Sequence, residues 1–595
     1  MASKPLPIQP NNRKQASAVG HYRYLLAVFV CLFGVGPGVF AAADFNNIAL
    51  QPQALNVVGI YKLRQIEPNL AGAGIRFGIV SRSYTYNGAE PQNDYYVPTR
   101  HPCLAGRSIS FSDDNNVPLG ISPHAAAVVS ILLGEDANGF NKEIGSFEYE
   151  GVAPDANARI YEFRHFIREV VFAAAPIDVD IISISLGSQF EDWWTRGINH
   201  LVETDSSVII AGIGNGTDVY DPTLYPAGGP NVLAVGVVDS VRGPNELTDL
   251  ANFGLPSAQH STFGPTNDGR CKPDIVAPAN CLAATIDPNR PYEPTGDWSS
   301  FSTPIVAGTV GLLVQKAKSD PNLGIAFAPP VNCLFKAIVM NSARKLPFWH
   351  KGQITADDDH NCPLDYTQGA GMLDAVAAYN QLVAGPAAND VEKPRGWDNY
   401  FVTPTDYRAY YFKADTSVAR HIVATLVWNR HYQEQYPFEP LVQKDSNLRL
   451  ELWAADANNP QNDRLLDYSD SLIDNVEHIY FPVEPNYSEY ALVVSFSNAT
   501  PNDPNAVESY GLAWDVREDL QNDSILWYDL NDDGIVNDDD LNILKSHIAL
   551  SLPYNPRFDV NMDGVIDLKD LQIINDHTSL TAPWYLKPSV AANQD

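Results

Sequence analysis

The sequence predicts an α/β domain with a parallel sheet between helices, followed by an antiparallel β-sandwich and a small all-α loop-helix module. Three observations carry this reading. From Asp44 to about Gly385, short continuous apolar runs alternate with helix-like stretches, the pattern of strands buried on both faces. Beyond Gly396 the runs alternate with period two, as in half-exposed strands. An acidic twelve-residue loop entering an apolar helix then occurs twice, 30 residues apart.

A chain of 595 residues exceeds one core, which stops growing near about 250–300 residues, so two to four domains are expected. Lys and Arg total 39 against 71 Asp and Glu, a formal charge of −32, which argues against nucleic acid or anionic lipid as the main partner. Residues 1–43 hold four basic residues and no acidic one, then the apolar run Leu25 to Phe40 and Ala41-Ala42-Ala43. This is the layout of a secretion signal cut before Asp44, leaving a secreted chain of charge −36 with no membrane anchor. An uncleaved anchor needs about 20 apolar residues; this run is shorter and holds Gly34, Gly36, Pro37 and Gly38. Five cysteines remain: Cys103, Cys271, Cys281, Cys333 and Cys362. An odd number permits at most two bridges, and close spacing suggests Cys271 with Cys281 and Cys333 with Cys362, a pairing that sequence leaves open.

In the first region (44–385), Ile75–Val80, Ile181–Leu186, Val208–Ala211 and Val232–Val238 read as buried parallel strands. Chemistry in such sheets gathers at the carboxyl ends. Three segments stand out there. Ser300 opens a helix of small and apolar residues, near unpaired N–H groups and the positive dipole end, which suits a nucleophile and an oxyanion or a plain N-cap. His124 opens another small-residue helix. Asn215 lies in Ala211–Gly216, where a strand ends, and carries an amide able to donate to an oxyanion.

Together these segments resemble the subtilisin-like serine peptidases (peptidase family S8). Ser300 precedes Phe-Ser-Thr-Pro-Ile-Val-Ala-Gly, as in the family's nucleophile motif, and residues 261–278 (STFGPTNDGRCKPDIVAP) reproduce a family signature almost letter for letter. The resemblance implies a seven-stranded parallel sheet and hydrolysis of peptide bonds through an acyl-enzyme, with no cofactor for that chemistry. It assigns Ser300 as nucleophile, His124 as general base and Asn215 as oxyanion donor. It places Ser185, Leu186, Gly187 and Gly212 along the substrate.

The third catalytic group is missing. The family's acid ends the first core strand, which here runs Gly74–Val80 into Ser81-Arg82-Ser83. The acid's position falls on Ser81 or, in an alternative alignment, Arg82; neither is a carboxylate. Asp94, Asp113 and Asp114 lie between that strand and His124 and are the candidates to replace it in space. Trp298 also stands where the family has Gly, two residues before the nucleophile, with an indole large enough to cover the oxyanion site or the specificity pocket.

After a linker at Ala387–Gly396, His421–Trp428, Leu448–Leu452, Ile479–Val483, Tyr490–Phe496 and Gly511–Val516 read as strands of a sandwich over 397–517. It is similar to the jelly-roll modules that follow many secreted peptidase domains.

The last region (519–583) holds the repeat. Asp529, Asn531, Asp533, Ile535, Asn537 and Asp540 recur as Asp559, Asn561, Asp563, Val565, Asp567 and Asp570. Oxygen ligands at positions 1, 3, 5, 9 and 12, a carbonyl at 7 and Gly at 6 are the pattern of a Ca²⁺ loop, so two Ca²⁺ sites are expected. Each loop leads to a helix, read as Leu541–Leu550 and Leu571–His577. Paired units of this kind resemble a dockerin, which implies a cohesin-like scaffold partner. With 14 acidic and 4 basic residues, Asp519–Asp595 is expected to fold only with metal.

The leading expectation is therefore a secreted serine endopeptidase acting on protein or peptide substrates. The alternative is a catalytically impaired pseudo-peptidase that binds peptide or is displayed on a scaffold.

Overall fold

The computed structural model describes residues 50–579 apart from 83–84, 88–89, 93, 115–119, 206, 217–220, 241–249, 251–252, 348, 354–357, 388–391, 418–419, 443, 445, 456–461, 498–505, 519–527, 531–534, 551–557, 559 and 561–565. The secretion signal predicted at 1–43 lies outside the described residues.

Seven parallel strands form the central sheet: β1 (Arg76–Ser81), β2 (Ser108–Ser112), β3 (Asn157–Glu162), β4 (Ile181–Ile184), β5 (Val208–Gly212), β6 (Leu233–Val238) and β7 (Ile275–Pro278), in the order β7-β6-β5-β4-β1-β3-β2. Strands β4 to β7 are buried along their whole length, as expected for apolar runs covered by helices on both faces. The chain passes from β1 to one side for β2 and β3, then to the other for β4 to β7. The strand order thus reverses at β1, whose carboxyl end is the place for a site. Ser81, 5% exposed, ends this strand in register with Glu162 of β3.

Two helices pack on each other beside the sheet. Helix α1 (Pro123–Leu133) starts at Ser122, whose hydroxyl accepts the Ala125 N–H at 3.1 Å, a cap contributing about 1 kcal/mol. Helix α3 (Ser299–Ser319) packs along β4 to β7, while Ile198, Leu201 and Val202 of α2 (Trp193–Asp205) join a separate buried cluster with Ile182, Ile184 and Ile209. Its small residues permit close approach: a Cβ on Gly311 would lie 2.3 Å from Phe77 Cζ. The stereotyped stretch 261–278 has a structural explanation. The fully buried carboxylate of Asp274 accepts the Ala234 N–H at 2.7 Å and pairs with Lys272 at 2.7 Å and Lys336 at 3.0 Å, tying β6 and β7 to α4 (Val331–Asn341).

The sandwich holds eight antiparallel strands: β8 (Arg395–Val402), β9 (Tyr407–Lys413), β10 (Arg420–Trp428), β11 (Leu448–Ala454), β12 (Arg464–Ser469), β13 (Val476–Pro482), β14 (Glu489–Phe496) and β15 (Glu508–Glu518). Its two sheets have the orders β8-β15-β10-β13 and β9-β14-β11-β12. The predicted linker overruns the first strand, because Arg395 and Gly396 already pair with Asp515 and Trp514. The first sheet packs on α4. Asn332 donates to Asn429 at 2.7 Å and Thr425 to Asn341 at 3.1 Å across a buried boundary, so the sandwich is packed against the α/β region.

The module's helices are α5 (Asp538–Ala549) and α6 (Leu568–Asp576), each starting three residues before the predicted helix. The cause is a capping box: Asn537 caps Asp539 while Asp540 takes the Asn537 N–H at 2.8 Å, and Asp567 and Asp570 repeat the arrangement. The suggested pairs Cys271–Cys281 and Cys333–Cys362 are not formed; all five described thiols are free. The thiol neighbours are instead Cys271 and Cys362, and hydrogen bonding from Cys271 holds the Cys362 thiol below its usual pKa.

Candidate active site

Ser300 occupies the first turn of α3 and is half-buried. Its carbonyl would normally receive the N–H of the residue four positions on, but that residue is Pro304, which has none. The Ser185 hydroxyl supplies the donor instead, at 2.8 Å. In return the Ser300 hydroxyl donates to the Ser185 carbonyl at 3.4 Å. The segment Ser185–Gly187 thereby runs directly past Ser300, with Leu186 and Gly187 half-buried beside it.

Asn215 is exposed, just past β5. Its Oδ1 accepts both the main-chain N–H of Ser299 at 2.7 Å and the Ser299 hydroxyl at 2.9 Å. With the oxygen so engaged, the amide N–H₂ is left for a developing oxyanion. Gly212 lies under the same serine: a Cβ there would meet Ser299 Oγ at 2.9 Å.

His124 is the second residue of α1 and is exposed at the rim. Its ring stands 5.8 Å from that of Phe301. Crowding of the imidazole by protein lowers its pKa, which keeps it neutral at neutral pH. Among the described residues it makes no hydrogen bond, neither to Ser300 nor to a carboxylate.

Two of the three candidate replacement acids are committed elsewhere. Asp113 accepts the Tyr95 hydroxyl at 2.5 Å and the Tyr96 hydroxyl at 3.3 Å. Asp114 pairs with His165 at 2.7 Å and with Arg168. The side chain of Asp94 lies outside the described residues. Arg82 is exposed, so Ser81 is the buried residue at the acid's position. Sequence reasoning passed over Glu162, the buried carboxylate beside Ser81 in register. Its oxygen caps the His165 N–H at 2.9 Å, and only the strand pairing reveals its proximity.

Trp298 is 42% exposed and packs edge-on against His260, with ring centroids 6.2 Å apart. His260 in turn holds Asp239 at 2.7 Å. The described contacts of the indole are thus with His260 and Gly296, not with Asn215 or the Ser185–Gly187 segment.

In the C-terminal module, Asp529, Asp540 and Asp570 are fully buried. Asp540 accepts the Leu530 N–H at 2.6 Å, closing its loop on itself. Ile535, Asn537 and Asp567 are described; Asn531, Asp533, Asp559, Asn561, Asp563 and Val565 lie outside the described residues. Among the described residues no group of three or more His, Cys, Asp or Glu side chains gathers as a metal site. The all-oxygen donor types in the sequence, with Asp529, Asp540 and Asp570 fully buried, are of the kind a hard cation takes.

Comparison with known proteins points to one family for the α/β region. Residues 95–371 match the model of the Subtilase family (peptidase S8). The match begins after the strand that ends at Ser81. Thermitase of Thermoactinomyces vulgaris is 24% identical over 278 residues, covering 44% of this chain and 85% of thermitase. Serine protease AprX of Bacillus subtilis (strain 168) is 25% identical over 253 residues, covering 36% of this chain and 54% of AprX. The structure of the prenylagaramide maturation protease PagA aligns with 22% identity over 55% of this chain and 99% of that chain, with a TM-score of 0.36.

Proposed function

We propose that this chain, which carries a subtilase-family domain over residues 95–371, is a secreted subtilisin-like serine endopeptidase tethered by its C-terminal module. The observation that carries the reading is the placement of Ser300 at a helix N-terminus beside an Asn215 amide whose oxygen is already engaged. In the reaction Ser300 Oγ attacks the peptide carbonyl and His124 accepts its proton. The Asn215 N–H₂ group and helix N–H groups hold the oxyanion, and His124 protonates the leaving amine. The Ser185–Gly187 segment aligns the substrate backbone, with Gly212 behind it. Ser81 brings no charge to stabilise the imidazolium, so turnover is slow compared with a complete triad. Fluorophosphonate labelling tests the reading: the full chain reacts, the Ser300→Ala variant does not, and failure of the parent to react would sink it.

One observation favours a second reading, a catalytically impaired pseudo-peptidase that binds peptide. The Ser300 hydroxyl is directed at Ser185 and the His124 ring has no described partner. Peptide binding without labelling would select this reading.

In the same proposal the loops at 529–540 and 559–570 hold two Ca²⁺ ions. Asp529, Asn531, Asp533, Asn537 and Asp540, with their counterparts, supply oxygen ligands, and Ile535 and Val565 supply carbonyls. The ions neutralise carboxylates that otherwise repel one another, and the folded pair of helices presents a surface to a cohesin-like scaffold domain.

A further inference from the structure

The stretch 261–278 and the turn 358–366 come from distant parts of the chain and meet at Gly264. Its N–H donates to the Tyr366 carbonyl at 2.8 Å, and a Cβ there would lie 2.3 Å from the Lys272 carbonyl oxygen and 3.2 Å from Tyr366 Cδ1. Glycine lets the main chains pass this closely. Each segment is also bound to the same loop of the sandwich. The Cys271 N–H donates to Asp474 Oδ1 at 2.8 Å, and the Asp470 N–H donates to the His360 carbonyl at 2.8 Å. The Ser471 hydroxyl fixes Asp474 at 2.8 Å, and the His360 ring stacks on Tyr468 with centroids 4.0 Å apart. Three segments thus converge on one junction.

The junction holds two thiols bonded to each other. The Cys271 S–H donates to Cys362 Sγ, and the Leu364 N–H donates to Cys271 Sγ. Cys362 Sγ also lies 3.3 Å from the Tyr366 hydroxyl and 3.5 Å from Asp358 Oδ2, and its N–H closes the turn on the Asp358 carbonyl at 2.9 Å. The pair is asymmetric: Cys271 is buried and Cys362 half-buried. Burial and the bond to Cys362 raise the pKa of Cys271, whereas the hydrogen bonds from Cys271 and Tyr366 lower that of Cys362. A partly exposed thiol that ionises readily is the attacking group of thiol–disulfide exchange, and a thiol bonded to it is placed to resolve the product. Cys103, Cys281 and Cys333 are buried, and burial raises the pKa of each.

We propose that Cys271 and Cys362 are a reversible dithiol–disulfide site which, oxidised by a small-molecule disulfide, locks the stretch 261–278 to the turn 358–366 where both meet the sandwich. The Cys362 thiolate attacks one sulfur of the reagent, such as oxidised glutathione. The reagent's S–S bond breaks, a glutathione thiolate leaves and a mixed disulfide forms on Cys362. The Cys271 thiolate then attacks Cys362 Sγ and expels the second glutathione thiolate. The protons of both cysteines end on the two glutathione thiols, and the electron pair lost by the protein sulfurs reduces the reagent. The bond closes residues 272–361 into a covalent loop that contains α3, α4 and Ser300, so it limits the freedom of the unfolded α/β region. The inference does not depend on whether Ser300 is catalytic.

The test uses the full chain, reduced with dithiothreitol, freed of it and then exposed without denaturant to oxidised glutathione. Remaining thiols are alkylated after unfolding, and the digest is mapped by mass spectrometry without reduction. A peptide pair joined through Cys271 and Cys362 is expected, with Cys103, Cys281 and Cys333 alkylated; dithiothreitol should separate the pair again. Amide exchange at 358–366 is expected to slow by at least about 10-fold on oxidation. In Cys362→Ser the same treatment should leave Cys271 alkylated and the exchange unchanged. Two free thiols after oxidation, a glutathione adduct on Cys362 that never resolves, a bridge to another cysteine, or a bridge without slower exchange would each overturn the proposal. Should Cys362→Ser not fold, the peptide map and the exchange of the parent in its two redox states still decide.

Discussion

Ser185 and Ser300 are bound to each other in both directions, the Ser185 hydroxyl to the Ser300 carbonyl at 2.8 Å and the Ser300 hydroxyl to the Ser185 carbonyl at 3.4 Å. The first bond exists because Pro304 leaves the Ser300 carbonyl without its helical donor. The second is long and easily given up. It rests the proposed nucleophile on the segment proposed to align the substrate, and among the described residues no carboxylate bonds His124, the proposed base.

Restoring the acid should therefore raise the rate. In subtilisin, removing the triad Asp alone costs about 3 × 10⁴ in kcat, against about 10⁶ for Ser or His. Ser81→Asp places a carboxylate at the buried end of β1. It also sets that charge about 4.8 Å from the neighbouring strand, where Glu162 stands in register, and two buried carboxylates so close resist joint ionisation. The expected gain in kcat on a chromogenic peptide is about 10²-fold for Ser81→Asp. A larger gain is expected when Glu162→Gln accompanies it. No gain in either variant would mean that the acid's place is not at Ser81.

The titration of His124 gives a check that needs no turnover. Protein packed around the ring draws solvent from it and lowers its pKa although the residue reaches the surface, so the ring is neutral down to a pH below the ordinary histidine value of about 6.5. The His124 NMR signal should shift with a midpoint below that ordinary value, and the acid limb of any pH–rate profile should fall at the same point. In Ser81→Asp the midpoint should rise, since a nearby anion favours the imidazolium.

How far the sequence speaks depends on whether a feature is local. The parallel strands are legible because burial on both faces demands an uninterrupted apolar run, and β4, β5 and β6 show one. Tyr407–Lys413 and Arg464–Ser469 are not, because charged and aromatic residues at their outward positions blur the alternation. The strand Arg395–Val402 hides behind Lys393-Pro394-Arg395-Gly396, which has linker composition; Gly396 is small because a Cβ there would lie 2.6 Å from Trp514 Cζ2. Ser300, His124 and Asn215 are legible as motifs. Glu162 is not, since it acquires its meaning from Ser81, a neighbour brought to it by the fold.

Calcium should control the C-terminal helices. The capping boxes that start α5 and α6 draw on Asp540 and Asp570, which also stand at the last ligand positions of the proposed Ca²⁺ loops, so removing the ion would leave acids buried and uncompensated at both helix starts. Addition of EGTA to the full chain is expected to accelerate amide exchange at 538–549 and 568–576 while leaving the seven-stranded sheet protected. Calorimetric titration back should count two Ca²⁺ ions. Unchanged exchange and circular dichroism would refute the metal dependence.

The boundary between the α/β region and the sandwich carries a titratable clamp. His431 lies between Glu203 of α2, at 2.7 Å from Nδ1, and Glu508 of β15, at 3.2 Å from Nε2. Desolvation alone would lower its pKa, but hydrogen bonds to the two carboxylates outweigh this and raise it to about 10. A folded pKa above the unfolded value of about 6.5 contributes stability that is complete below about pH 6.5 and disappears as pH rises through about 10. Hydrogen bonds to charged partners of this kind contribute about 2 kcal/mol. His431→Gln should therefore lower the denaturant midpoint at pH 6 and approach the parent at pH 10.5. A deficit that stays constant over this range would show that the imidazole acts through packing and not through its charge.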